Sequence, residues 1–259
     1  MFSDDEVERY SRQLLLRDWG GPGQQRLKQA RVLLVGVGGL GGPAALALAG
    51  VGVGTLGLVE FDRVELSNLH RQPQFATADV GRPKLDAAVE RLRALNPDVS
   101  LEPHALRLRE ANAAELIARY DLVLDGTDDF DTRAVVNAAC ARTGRPLVSG
   151  AVARWSGQLG VFAGRPCWRC LVPEPPPDAE TCAAVGVAGP LTAVIGAAMA
   201  LEAVKLLAGA GRPLTGRLLL YDGLHGEART VRVQPDPECP VCGDGARRHP
   251  EADGATRAE

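Results

Sequence analysis

The order of apolar segments predicts a doubly wound α/β sheet, parallel in its first part and continued by antiparallel strands. Three observations carry the prediction. The runs at residues 32–35 and 55–59 are apolar nearly throughout, and that at 121–125 has an apolar centre between two aspartates, which suits strands buried on both faces. Helical patterns alternate with them, and such alternation implies parallel strands joined by right-handed crossovers. From Ala151 the texture changes: strands are expected at 158–163, 217–222 and 230–234, with one long helix at 190–207 between the first two.

In order along the chain, residues 4–18 read as an amphipathic helix capped by Ser3 or Asp4, with Val7, Leu14 and Leu15 on one face. It ends before Gly20, Gly21 and Pro22, so residues 1–20 form an arm able to pack on its own domain or on a second subunit. The run VLLV at 32–35 breaks into Gly36, Gly38, Gly39 and Gly41, followed by an Ala/Leu helix to about Gly50 and a strand ending at Glu60. This Rossmann-like unit points several backbone N–H groups at one spot, with the positive end of a helix dipole behind them. Phosphate is the natural occupant. Glu60, nineteen residues after Gly41, stands where a carboxylate accepts ribose hydroxyls. At this point a dinucleotide, ATP and an unliganded glycine-rich turn all remain open.

A polar loop follows at 67–83, long enough to indicate function or disorder. Next come a helix at 84–95 stopped by Asn96-Pro97, a strand at 99–103 and a helix at 110–119. The strand at 121–125 ends in Gly126, Thr127, Asp128 and Asp129; a helix at 132–143 and a strand at 146–149 complete the parallel part. The stretch PEPPPD at 173–178 reads as a mobile connection, and residues 246–259 as a disordered tail beyond a single domain at 1–245.

Bulk composition narrows the function. Hydrophobic residues make up 46% of the 259, charged ones 24%, and the net charge of -3 argues against a nucleic-acid or membrane binder. Residues 1–20 carry charges throughout and lack an apolar signal core, which points to a cytoplasmic protein. Two uncharged runs, at 32–59 and 183–201, are long enough to span a bilayer. Nine glycines interrupt the first, and three glycines with Pro190 interrupt the second; both read as soluble interior.

Four features decide between nucleotides. Arg71 lies in the long loop, Lys84 starts a helix, and Asp128 ends a buried strand, the edge that borders the ligand crevice in open α/β sheets. Cations there are useful around a departing pyrophosphate and costly around a neutral nicotinamide. Asp128, with Asp129 beside it, suits Mg2+ held on phosphate oxygens. Each residue alone has a plainer account: Arg71 and Lys84 as solvated cations, Asp128 as a helix N-cap. The fourth feature is Cys167-x-x-Cys170 with Cys239-x-x-Cys242, four thiolates at the spacing of a tetrahedral Zn2+ site, with two disulfides as the rival account. With 68 residues between the pairs, the metal would clamp distant segments together. Cys140, inside an apolar helix, reads as a core residue.

Taken together, RYSRQ at 9–13, GVGGLGG at 36–42, SNLHRQ at 67–72, GRPK at 81–84, DGTDD at 125–129, the CxxC pairs and TCAAVGVAGPL at 181–191 resemble the MoeB/ThiF/HesA group, bacterial relatives of ubiquitin-activating enzymes. The resemblance spans roughly residues 5 to 243. It implies an ATP-dependent adenylyltransferase acting on the C-terminal Gly-Gly carboxylate of a ubiquitin-like sulfur carrier of the ThiS or MoaD type. It puts Gly39 and its loop on the phosphates and Glu60 on the ribose, with Asp62 as the other partner. Ser67, Asn68, Arg71 and Lys84 would serve the phosphates and Asp128 would hold Mg2+. It also sends Arg12 into the active site of the second subunit of a homodimer. Glu60 stands where the group usually has aspartate, and Asp129 where it more often has asparagine. Cys182 occupies the position of a covalent cysteine in some relatives, either as a nucleophile or as a bystander. The chain has no room for the rhodanese-like domain of some relatives, so sulfur is expected from a separate donor. Outside the group, a nicotinamide-dependent oxidoreductase explains only the glycine turn and Glu60. A non-catalytic, zinc-stapled binder of a ubiquitin-like protein leaves the phosphate-facing residues unexplained. A dehydratase acting on modified tRNA adenosine gains no support from the net charge.

Overall fold

The structure, a computed structural model, describes residues 2–174 and 185–246. Cys182, most of the PEPPPD stretch and the tail from 247 onward lie outside the described residues.

The arm is two short helices, α1 (Asp4–Arg9) and α2 (Ser11–Leu14), in place of the single helix expected from periodicity. Ser3 and Glu6 form a reciprocal capping box on α1. The arm holds to its own domain through polar groups. Glu6 is buried against Lys28 at 2.7 Å, and the Tyr10 hydroxyl accepts a hydrogen bond from Asn96 at 2.9 Å. Val7, Leu15 and Leu16 face outward. A further helix, α3 (Gly20–Gln29), occupies a stretch whose Gly-Gly-Pro-Gly start reads as a break; Gln24 and Leu27 on it are buried.

The strands are β1 (Arg31–Val35), β2 (Thr55–Val59), β3 (Ser100–His104), β4 (Leu122–Asp125), β5 (Leu147–Ala153), β6 (Ser156–Phe162), β7 (Arg217–Asp222) and β8 (Glu227–Arg232). They form one sheet in the order β3-β2-β1-β4-β5-β6-β7-β8, parallel from β3 to β5 and antiparallel from β5 to β8. The mixed α/β sheet is the expected architecture. The remaining helices are α4 (Gly41–Gly50), α5 (Lys84–Leu95), α6 (Glu110–Ala118), α7 (Phe130–Thr143), α8 (Trp168–Leu171) and α9 (Gly189–Ala208).

Alternation along β1 explains its uniform apolarity: Val32 and Leu34 join the core under α4, α5 and α9, while Leu33 and Val35 join the core under α6 and α7. Among the described residues α9 alone is long and apolar enough to cross a membrane, but Leu191, Ile195, Met199 and Ala203 on it are buried in the first core. Chain order reverses between β1 and β4, so a crevice opens beyond their carboxyl ends.

Candidate active site

The crevice is a cleft of about 1300 Å³ whose walls come from the glycine turn, the ends of β2 and β4, the loop before α5, and β5 to β8. The turn is shaped by sterics. Gly36 adopts φ +81°, and a Cβ on Gly41 would stand 1.8 Å from the Gly36 carbonyl oxygen. Only glycine allows β1 to enter α4 this tightly, and the turn that leads into α4 borders the cleft. Gly36, Gly38 and Gly39 line it; Gly41 closes the turn behind them.

Glu60 lines the cleft, and its carboxylate is partly occupied. Oε1 accepts the backbone N–H groups of Phe61 and Asp62 at 2.8 and 3.0 Å, and Oε2 accepts that of Val37 at 3.1 Å. The extra methylene lets this side chain fold back and tie the end of β2 to the glycine turn. Asp62 lines the cleft beside it and pairs with Lys84 at 3.2 Å. Lys84 is the first residue of α5 and is buried, so its ammonium is aimed inward.

Asn68 is buried on the cleft wall and accepts the Glu65 N–H at 3.1 Å. Arg71 lines the cleft, donating from Nη1 to the Ser67 carbonyl oxygen at 2.8 Å. Ser67 itself is outside the cleft, exposed and bonded to Glu65 at 3.1 Å. Arg12 also lies outside, exposed on α2.

The adjacent acids after β4 have different situations. Asp128 lines the cleft, is exposed to it and has no hydrogen-bond or ion-pair partner among the described residues. Asp129 is the N-cap of α7: its Oδ2 accepts the Thr132 N–H at 3.0 Å and the Thr132 hydroxyl, and meets Arg107 at 3.1 Å. Burial works against its charge, but the Thr132 bonds and Arg107 outweigh it and hold the carboxyl below the ordinary aspartate value. The cap reading considered for Asp128 therefore falls to its neighbour, and Asp128 is left open for a cation. An unpaired carboxylate just beyond a strand end, in a cleft that Lys84 and Arg71 also line, fits Mg2+ carried on phosphate oxygens.

Sequence reasoning passed over several lining residues. Gln72 is buried with an unpartnered Oε1, and Thr192 at the start of α9 donates to the Arg71 carbonyl oxygen at 2.9 Å. Arg107 lies over the Phe61 ring at 5.5 Å, and Phe130 and Trp168, which also line the cleft, pack at 5.3 Å. Gln72 sat inside the SNLHRQ motif and was legible; the others depend on contacts between distant segments.

The four cysteines converge. Their sulfurs all lie within 4.8 Å of one another, with Cys167–Cys239 at 3.7 Å and Cys170–Cys242 at 3.4 Å. Thiolates about 2.3 Å from a tetrahedral ion stand about 3.8 Å apart, whereas a disulfide needs about 2.05 Å. The arrangement suits a metal and not two disulfides. Asn137 Nδ2 donates to Cys167 Sγ at 3.6 Å and the Asp236 N–H to Cys170 Sγ at 3.5 Å, giving the sulfurs a polar second layer. Trp168 of the cleft wall lies between the two cysteines of the first pair. Cys140 is buried, and burial pushes its thiol well above the ordinary range, as befits an inert core residue.

The chain matches the ThiF family over residues 10–241. It is 49% identical to a sulfur carrier protein adenylyltransferase of Thermus thermophilus, covering 94% of this chain and 93% of that one. It is 46% identical to the molybdopterin-synthase adenylyltransferase of Escherichia coli, covering 93% and 98%. A probable adenylyltransferase/sulfurtransferase, MoeZ, of Mycobacterium tuberculosis is 47% identical, but the chain spans 63% of its length. Among solved structures it resembles PaaA (TM-score 0.78, 26% identity, 90% of this chain and 75% of that one). It also shares the fold of E. coli MccB crystallised with MccA-N7isoASN (TM-score 0.80, 23% identity, 91% and 75%). A match over most of the chain, with relatives nearly half identical along their whole length, makes this chain a member of the ThiF family.

Proposed function

We propose that this chain is an ATP-dependent adenylyltransferase acting on the C-terminal Gly-Gly carboxylate of a ubiquitin-like sulfur carrier protein of the ThiS or MoaD type. The observation that carries the reading is the uncommitted Asp128 carboxylate in the same cleft as Lys84 and Arg71, at the switch point of the sheet. The names of the Thermus and E. coli relatives support it.

The chemistry follows from that arrangement. The carrier's terminal carboxylate is already ionised, so no general base is needed; the site has to hold it in line with the α-phosphorus. The glycine turn and the start of α4 offer N–H groups to the phosphates. Glu60, through the acceptor capacity its backbone bonds leave, or Asp62 takes the ribose. Lys84 and Arg71 take up charge on the phosphorus and the leaving pyrophosphate. Asp128 would hold Mg2+, which supplies further positive charge to the phosphate oxygens. Asp129, already neutralised by the α7 cap and Arg107, adds little negative charge there. Asn68 stands next to the Arg71 loop on the phosphate side. The glycine turn and Glu60 would serve a dinucleotide equally well, but Lys84, Arg71 and Asp128 would have no role in hydride transfer.

Cys167, Cys170, Cys239 and Cys242 would hold one structural Zn2+ with no open position. Arg12, exposed on the arm, completes the site of the second subunit in a homodimer, and the outward-facing Val7, Leu15 and Leu16 offer apolar surface for that contact. The enzyme is cytoplasmic and draws sulfur from a separate donor. Cys182 acts as a thioester or acyl-disulfide carrier only if an adduct trapped without reductant on wild type is absent from Cys182→Ser.

The deciding experiment is ATP–pyrophosphate exchange with a panel of carriers, each with and without its terminal glycine. Exchange that requires the glycine is expected with at least one. No exchange with any carrier, together with binding of NADH and not of ATP, would overturn the proposal.

A further inference from the structure

Arg133, in the first turn of α7, is only 7% exposed. A buried guanidinium is costly unless its donors are matched, and here they are. Nη2 donates to the carbonyl oxygens of Thr127 and Gly150, the latter at 2.8 Å. Nη1 donates to Ser149 Oγ at 3.3 Å and lies 4.0 Å from Asp125 Oδ2. These partners belong to two segments. Thr127 is in the loop that carries Asp128, whereas Ser149 and Gly150 are on β5, whose next residues, Ala151 to Ala153, line the far wall of the cleft.

Asp125, itself buried, grips the same loop from beneath by accepting the Thr127 N–H at 3.0 Å and hydroxyl at 2.7 Å. Asp128 has no such partner, so the direction of its carboxylate is set by the loop backbone alone. That backbone is pinned at Thr127, the residue just before it.

We propose that Arg133 is a positioning residue: by holding Thr127 and Gly150 with one planar fork, it keeps Asp128 and the β5 wall in a fixed relation across the cleft. The inference rests on the adenylylation reading, in which Asp128 would hold the Mg2+ carried on the nucleotide phosphates. Lysine keeps the charge but is a point donor and cannot span both carbonyls in the same geometry.

The test uses the full-length chain as wild type, Arg133→Lys, Arg133→Ala and Asp128→Ala. The first readout needs no carrier: Mn2+ binding followed by electron paramagnetic resonance in the presence of α,β-methylene-ATP. The second is pyrophosphate exchange with the carrier. Arg133→Lys should bind Mn2+ about tenfold more weakly and exchange about 10- to 100-fold more slowly, with KM for ATP nearly unchanged. Added guanidinium should restore Mn2+ binding to Arg133→Ala but not to Asp128→Ala.

Folded Arg133 variants with Mn2+ affinity and exchange both within about twofold of wild type would overturn the proposal. So would losses that only track the folded fraction and ignore guanidinium, or failure of both variants to fold, since Arg133 would then be a structural cation. Wild type that binds Mn2+ with the analogue but exchanges with no carrier would sink the adenylylation reading, while the Mn2+ comparison would still decide Arg133.

Discussion

In the parallel half of the sheet, β1, β2 and β4 are buried almost along their whole length, between one apolar core under α4, α5 and α9 and another under α6 and α7. In the antiparallel half, β8 exposes all six of its residues and ends the sheet without a covering layer among the described residues. The first half is held by burial on two faces. The second is a ribbon that needs something else at its end, and the four cysteines draw the segment after β8 back to the start of α8. The two halves meet along β5, and the cleft is walled by both. The difference separates two kinds of fragility: apolar or steric changes should damage the parallel half, and loss of metal should damage the ribbon.

The largest separation is expected from the cysteines. Cys239→Ser or removal of the metal by a chelator should abolish stoichiometric zinc and strip amide-exchange protection from β7 and β8, while β1, β2 and β4 stay protected. Structural zinc sites are worth on the order of 10–16 kcal/mol of apparent binding energy. Unchanged exchange rates in β8 without metal would erase the distinction between the halves.

The converse is Gly41→Ala. The added methyl has no room beside the Gly36 carbonyl, so the turn must open. A cost of about 3 kcal/mol or more in denaturant unfolding is expected, with loss of nucleotide binding and retention of zinc. Next, Lys84→Ala and Arg71→Ala should each slow pyrophosphate exchange about 10²- to 10³-fold, and ordinary exchange in both would remove the phosphate assignment.

The smallest stability effects distinguish two neighbours. Asp128→Ala should abolish exchange yet change stability by no more than about 0.5 kcal/mol, because its carboxylate supports nothing in the fold. Asp129→Ala should keep exchange and lose about 1 kcal/mol, the usual worth of an N-cap. The Asp129 contribution also has a pH signature. Its carboxyl is held below the ordinary 3.8, so the stability it brings is present above that value and lost as pH falls through the lower, folded one. The difference between wild type and Asp129→Ala should therefore shrink in acid; a difference that grows in acid would contradict the cap.

Much of the parallel half was legible in the sequence because its signals are local. Apolar runs mark strands buried on both faces, glycines at fixed offsets mark the turn, and α5 begins and ends where Lys84 and Asn96 say it should. The cysteine pairs were legible for the same reason, since spacing within each pair is a chemical requirement. Helix α3 was not, because Gly20, Gly21, Pro22 and Gly23 read as a break; packing against α9 overrides their propensity, with Gly23 close to Ala208. Roles divided between neighbours were also hidden. Asp128 and Asp129 are identical in type, and only the position of Thr132 one turn on and Arg107 across the loop makes one a cap. Arg133 gave no signal, since its partners lie on β5 and the β4 loop.

Trp168 stands between Cys167 and Cys170 while its ring, tilted against that of Phe130, forms part of the cleft wall. Any ion gathered by the sulfurs would thereby set the posture of an aromatic surface that lines the cleft. Scarcity of that ion would then reshape one wall of the cleft while the parallel half of the sheet still held.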